Sequence, residues 1–133
     1  MKIAVIGLGF VGLSLSSVLA SRGIATIGID SDGKKCSKIA KGIPTFFEPN
    51  LEKTLKKALK KKLIITNKLS SITNCDFIFV TVGTPQKNNG EIDLSMIKTV
   101  TNDVGKLLSK NKNNPIILIK STVIPGTMKD VIL

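Results

Sequence analysis

The chain has 133 residues but no histidine, tryptophan or tyrosine, and only two cysteines. Without histidine the commonest general base is missing. Cys36 and Cys75 form no C-x-x-C pair, so the residues from which zinc centres are usually built are absent and no metal site is expected. Both thiols read as small core residues in a reducing compartment. Aromatics amount to five phenylalanines, too few for base-stacking platforms. Arginine occurs once, at Arg22, so the net charge of +11 rests on lysine, which lacks the planar fork that reads phosphates and bases. The densest lysine run, "KTLKKALKKK" (Lys53 to Lys62), accompanies Leu51, Leu55, Ala58 and Leu59 at helical spacing, which puts its lysines on the wet face of an amphipathic helix. Nucleic acid is therefore not an expected partner.

Long hydrophobic runs are also scarce. The longest apolar stretch, Ile3 to Ala20, falls short of the roughly twenty residues of a membrane span. It has a lysine before it like a secretory leader, but its internal order fits neither use. "KIAVIG" is a short β-branched run that reads as a buried strand. "GLGFVG" follows, with glycines at Gly7, Gly9 and Gly12. Leu13, Leu15, Val18 and Leu19 then mark a helix closed near Gly23, and "IATIGID" is a second strand ending in Asp30. Strand, G-x-G-x-x-G, helix, strand and acidic residue within about thirty residues is a dinucleotide-binding unit. Gly7 permits the turn, Gly9 lets the backbone approach a pyrophosphate, and Gly12 lets the helix pack close to the sheet. The helix N-terminus offers unpaired N–H groups to the phosphates. Asp30 suits the free ribose hydroxyls of NAD and repels the 2′-phosphate of NADP. The chain is expected to be cytoplasmic, with no membrane segment.

Further along, "SDGKKCSKIAKG" reads as a short helix, "IPTFFEPN" as a loop and "LEKTLKKALKKK" as a helix. "LIIT" reads as a strand, "LSSITNCD" as a short helix and "DFIFVTVG" as a fourth strand. A helix is expected over "IDLSMIKTVTNDVGKLLSK", with Asp93 near its start. "NPIILIKSTV" is then a fifth strand ending in Ser121 and Thr122, and another helix begins in "PGTMKDVIL", leaving Val131, Ile132 and Leu133 uncovered. The fold class is α/β, a Rossmann-type doubly wound parallel sheet in the order 3-2-1-4-5, over a single domain, residues 1–133. Its pattern stops before a central helix and C-terminal domain, as an incomplete part of a longer chain would. Gly83, Thr84, Ser121 and Thr122 fall at carboxyl ends of strands, where open α/β sheets bind ligands.

Four motifs, "KIAVIGLGFVGL", "FFEPNL", "VTVGTPQKNNGEIDLS" and "KSTVIPGT", resemble the UDP-glucose/GDP-mannose dehydrogenase family, the third its UDP-glucose branch. The family has glycine where Asn50 stands, and asparagine also tolerates left-handed geometry. The resemblance implies oxidation of UDP-glucose to UDP-glucuronate in the full-length enzyme by two NAD⁺, with a later cysteine as nucleophile. It implies a homodimer, and a UDP-sugar site mostly outside these residues. It places Gly7, Gly9, Phe10, Val11 and Gly12 at the pyrophosphate, Asp30 and Lys35 at the adenosine ribose, and Gly83, Thr84 and Ser121 along the cofactor groove. Thr122 lies at the nicotinamide, as the one catalytic residue. Alternatives are UDP-N-acetylmannosamine or GDP-mannose as substrate, or a regulatory NAD-binding module without catalysis.

Overall fold

The computed structural model describes residues 1–110 and 114–129. Its order is β1 (Lys2–Ile6), α1 (Phe10–Ser21), β2 (Ala25–Ile29), α2 (Gly33–Ala40), α3 (Leu51–Leu59), β3 (Leu63–Thr66), a 3₁₀ helix (Leu69–Asn74), β4 (Phe77–Val80), α4 (Ser95–Leu108) and β5 (Ile116–Ile119). The five strands form one sheet, β3-β2-β1-β4-β5, with every pairing parallel. This is the predicted order. It reverses direction at β1, where the chain moves from the β2 side to the β4 side.

The register puts the functional ends level. Ile6 pairs with Ile29 and with Val80, and Val80 with Ile119. The ladder runs one residue further, through Gly7 N–H to Ile29 O at 2.8 Å and Thr81 N–H to Ile6 O at 2.8 Å. Gly7, Asp30, Thr81 and Lys120 therefore emerge side by side at the carboxyl edge.

Each sheet face has its own core. On one, Leu8, Leu13 and Ala20 meet Leu51, Leu55 and Ala58 of α3. On the other, Ile6, Ile29, Ile78 and Val80 meet Ile72 of the 3₁₀ helix and Ile97 and Val104 of α4. The lysines of α3 lie on its exposed face, opposite buried Leu51, Leu55 and Ala58. Cys36 and Cys75 are both buried.

Several boundaries differ from the sequence reading. α1 starts at Phe10, so Gly12 lies inside its first turn rather than before it. β4 ends at Val80 and β5 at Ile119, short of Gly83 and of Ser121 and Thr122. Ile92 was expected in a helix, but it makes an antiparallel bridge to Gln86, closing a small loop turned by Gly90 at φ 87. The helix starts only at Ser95, whose N–H donates to Asp93 Oδ1 at 2.8 Å. After Pro125 and Gly126 the chain turns helically at residues 127–129; Val131, Ile132 and Leu133 lie outside the described residues.

Candidate cofactor-binding site

A cleft of about 790 Å³ opens along the carboxyl edge of the sheet, within the size range of small-molecule pockets. Gly7, Gly9, Phe10 and Val11 line it from the glycine loop, Asp30 and Lys35 from the end of β2 and from α2, Gly83 and Thr84 from beyond β4, and Ser121 and Thr122 from beyond β5. Among the predicted cofactor residues, Gly12 alone does not line it. A second cleft, of about 520 Å³ beside Phe46, Phe47 and Glu48, holds none of them.

The three glycines of the motif do different work. Gly7 has φ +95, and a Cβ there would stand 2.9 Å from the Thr81 carbonyl and the Val82 nitrogen. A Cβ on Gly12 would stand 1.8 Å from Gly7 O and 2.5 Å from Thr81 Oγ1, so this glycine seats α1 against the loop below. A Cβ on Gly9 would meet nothing within 4 Å. The space over Gly9 is open, at the N-terminus of α1. That helix has no side-chain cap and no acidic residue in its first turn. Its first N–H groups have no carbonyl one turn earlier to accept them, and together with the helix dipole they suit an anion.

Asp30 is held from three sides. Its Oδ2 accepts Leu8 N–H at 2.8 Å and Lys35 Nζ at 2.7 Å, and its Oδ1 accepts Asp32 N–H at 3.1 Å. Asp32 in turn caps α2, its Oδ1 accepting from the N–H groups of Lys34 and Lys35, and so sets the direction from which Lys35 reaches Asp30. Burial pushes the Asp30 carboxyl up, but the Lys35 ammonium and the Leu8 and Asp32 N–H groups outweigh it, and the group titrates below its ordinary value. It is a carboxylate at any physiological pH. Three of its roughly four acceptor positions are filled, and Oδ1 keeps one spare.

The opposite end of the cleft is less tied. Ser121 donates to Val82 O at 2.6 Å, stapling the segment after β5 to the segment after β4. Thr122, next in the chain, is exposed, and Thr84 is half-buried. A cleft with a helix N-terminus in the middle, a fixed carboxylate on one side and hydroxyl groups on the other has the chemistry to take a dinucleotide.

Sequence reasoning missed the residues that support this cleft. Thr81 places its hydroxyl under the glycine loop, 2.7 Å from Gly7 O. Its only sequence signal is one polar residue inside the apolar run "FIFVTVG". Asn67 and Leu69, after β3, and Met96, Thr99 and Val100 of α4 also line the cleft, and Lys120 lines it next to Ser121. No local pattern marked them.

Comparison with known proteins accords with this geometry. The model of the UDP-glucose/GDP-mannose dehydrogenase family, NAD binding domain, matches residues 1–133. The GDP-mannose 6-dehydrogenase of Pseudomonas aeruginosa is 33% identical over 135 residues, covering 100% of this chain and 31% of that protein. A ternary-complex crystal structure of GDP-mannose dehydrogenase from Pseudomonas aeruginosa superposes with a TM-score of 0.96 at 34% identity, over 99% of this chain and 31% of that one. A UDP-glucose dehydrogenase from Pyrobaculum islandicum superposes at 0.90 with 30% identity, over 95% and 30%. The chain thus spans about 31% of the length of the curated relative and corresponds to one part of it. Cleft, glycine loop and family match agree: the chain belongs to the UDP-glucose/GDP-mannose dehydrogenase family, as its NAD-binding domain, and its cofactor is NAD.

Proposed function

We propose that this chain is the NAD-binding part of an enzyme that oxidises the 6-hydroxymethyl group of UDP-glucose to a carboxylate. The observation that carries the reading is the single cleft joining Gly9, Asp30, Thr84 and Thr122. The loop sequence "VGTPQKNNGEIDLS" favours UDP-glucose as the sugar. The reaction removes four electrons as two hydrides: the hydroxymethyl group, two NAD⁺ and one water become a carboxylate, two NADH and three protons. NAD⁺ supplies the hydride acceptor when bound.

The chain's own residues bind, orient and polarise. The N-terminus of α1 seats the pyrophosphate and Asp30 takes the ribose. Ser121 fixes the segment that presents Thr122, whose hydroxyl donates a hydrogen bond to the oxygen at the reacting carbon. Thr122 is too weak a base to take the alcohol proton by itself, and with no histidine here that acceptor comes from elsewhere in the enzyme. The enzyme works in the cytoplasm as a homodimer.

GDP-mannose is the second reading, favoured by the 0.96 superposition on a GDP-mannose dehydrogenase. NADH absorbance of the intact protein with UDP-glucose, GDP-mannose and UDP-N-acetylmannosamine decides between them. Preference for UDP-glucose in kcat/KM supports the proposal, and preference for either other sugar overturns it. NAD binding with no turnover on any of the three would make the protein a regulatory module.

A further inference from the structure

We propose that Thr81 is a positioning residue for the cofactor, because it fixes the direction of one peptide plane in the glycine loop. The inference rests on NAD occupying the cleft described above. The plane is the one between Gly7 and Leu8. It is trans, so its C=O and N–H point opposite ways. Its N–H, on Leu8, donates to Asp30 Oδ2 at 2.8 Å. Its C=O, on Gly7, lies 2.7 Å from Thr81 Oγ1. The residue after each neighbouring strand thus clamps one end: Asp30, after β2, holds the N–H, and Thr81, after β4, holds the C=O.

The hydroxyl proton has two carbonyls within reach, Ile6 O at 2.9 Å and Gly7 O at 2.7 Å. Ile6 O already accepts Thr81 N–H at 2.8 Å. Gly7 O depends on the hydroxyl, so the proton belongs there. Thr81 is buried to 9% exposure, and water does not readily replace it.

The direction of this plane matters because the ligand is an anion. As held, the carbonyl oxygen is turned to the Thr81 hydroxyl and packs against Gly12, and it is not among the atoms within 4 Å of the open position over Gly9. Gly7, at φ +95, lacks the Cβ that would stop the plane from rotating, since glycine reaches backbone regions closed to other residues. A rotated plane would turn the carbonyl oxygen toward the pyrophosphate and take Leu8 N–H off Asp30. Thr81 and Asp30 would then act on NAD through the same peptide, although only Asp30 reaches the ribose.

The test uses the intact protein and three ligands: NAD, ADP-ribose and adenosine. Thr81→Val keeps shape and removes the hydroxyl; Thr81→Ser keeps the hydroxyl. Expected are Kd values for NAD and ADP-ribose raised about tenfold in Thr81→Val and returned to within about twofold of wild type in Thr81→Ser, the scale of one lost hydrogen bond. The adenosine Kd, read by NMR titration, should rise by clearly less than the NAD Kd, because adenosine has no pyrophosphate and Asp30 keeps its contacts to Lys35 and Asp32. Should Thr81→Val fail to fold by circular dichroism, Thr81→Ala against Thr81→Ser carries the same comparison. Unchanged NAD affinity without the hydroxyl overturns the proposal. So does a loss that serine does not restore, or an equal loss for adenosine. Absence of NAD binding by the wild type would instead overturn the cleft assignment itself.

Discussion

Gly9 and Gly12 belong to one motif, yet the structure assigns them opposite consequences. In Gly9→Val the new Cβ has nothing within 4 Å, and the backbone at φ −77, ψ −160 is open to any residue. Valine is a poorer N-cap than glycine by about 1 kcal/mol. Loss of glycine's freedom in the unfolded chain returns about 0.4–1 kcal/mol. The net change is within about 1 kcal/mol, so the melting temperature should move by no more than about 5 °C. Binding is another matter. The isopropyl group fills the pyrophosphate seat. Losing one or two charge-assisted hydrogen bonds at about 1.5–3 kcal/mol each weakens NAD by about one to four orders of magnitude. Gly12→Ala inverts the pattern. Its Cβ would stand 1.8 Å from Gly7 O, a backbone atom that Thr81 and Asp30 hold in place through its peptide plane. That overpacking should cost about 2–4 kcal/mol and lower the melting temperature by about 10 °C or more. Calorimetry with NAD and a thermal melt on each variant make the comparison. A folded Gly9→Val protein that binds NAD within threefold of wild type would refute the pyrophosphate seat. A Gly12→Ala protein as stable as wild type would refute the packing argument.

Asp30→Ala should weaken NAD and narrow its advantage over NADP, because the alanine loses the ribose hydrogen bond and the repulsion of a 2′-phosphate together; an undiminished preference for NAD in calorimetry would contradict this. The same carboxylate carries a pH signature. Its folded-state pKa lies below the ordinary value near 3.8, so its stabilisation is complete above that value and fades as pH falls through the lower folded one. The stability gap between wild type and Asp30→Asn, read by urea denaturation, should be flat above about pH 5 and shrink below about pH 4. Asn50 has φ 65 at the start of α3, so Asn50→Gly should leave the melt unchanged or slightly higher, while Asn50→Val should cost about 1–2 kcal/mol.

Features set by neighbouring residues were legible in the sequence. The glycine spacing, the strand before it and the acid after it are local, and they located both the open helix N-terminus over Gly9 and Asp30 at the end of β2. The strand order followed from alternating strands and helices once β1 was placed. Asn50 was read as tolerating a left-handed turn and adopts one. What escaped depends on partners far along the chain. Ile92 continues the apolar pattern of α4, and only its pairing with Gln86 takes it out of the helix. Asp30 was read as facing a ribose; that it also holds Leu8 depends on β1 and β2 ending level. Thr81 is 74 residues from Gly7, and no periodicity connects them. The same distance effect applies at β5, where Ile116 and Ile117 are exposed although a strand of a parallel sheet is usually covered on both faces.

The cysteines give the last prediction: a protein consisting of residues 1–133 alone binds NAD and does not oxidise UDP-glucose. The second oxidation needs a group that holds the carbonyl carbon while a hydride leaves, and a thiolate is the expected one. Neither thiol here can serve. Cys36 is buried, its Sγ 3.4 Å from both Asp30 O and Thr66 O, and burial pushes its pKa up. Cys75 is fully buried and likewise pushed up by burial. A thiol kept protonated is a poor nucleophile. Place decides as well as charge. Cys75 precedes β4, on the amino edge of the sheet, whereas Thr122 follows β5 on the carboxyl edge. At about 3.3 Å per residue, a four-residue strand separates those edges by roughly 13 Å. Cys36 does lie at the carboxyl edge, but on the β2–β3 side, with β1 and β4 between it and β5. Absorbance of NADH with UDP-glucose and NAD⁺ should therefore stay at background for residues 1–133, while calorimetry detects NAD. Turnover that persists in the Cys36→Ser, Cys75→Ser double variant would show that the chain contains chemistry these positions deny it, and the division of labour proposed for the enzyme would be wrong.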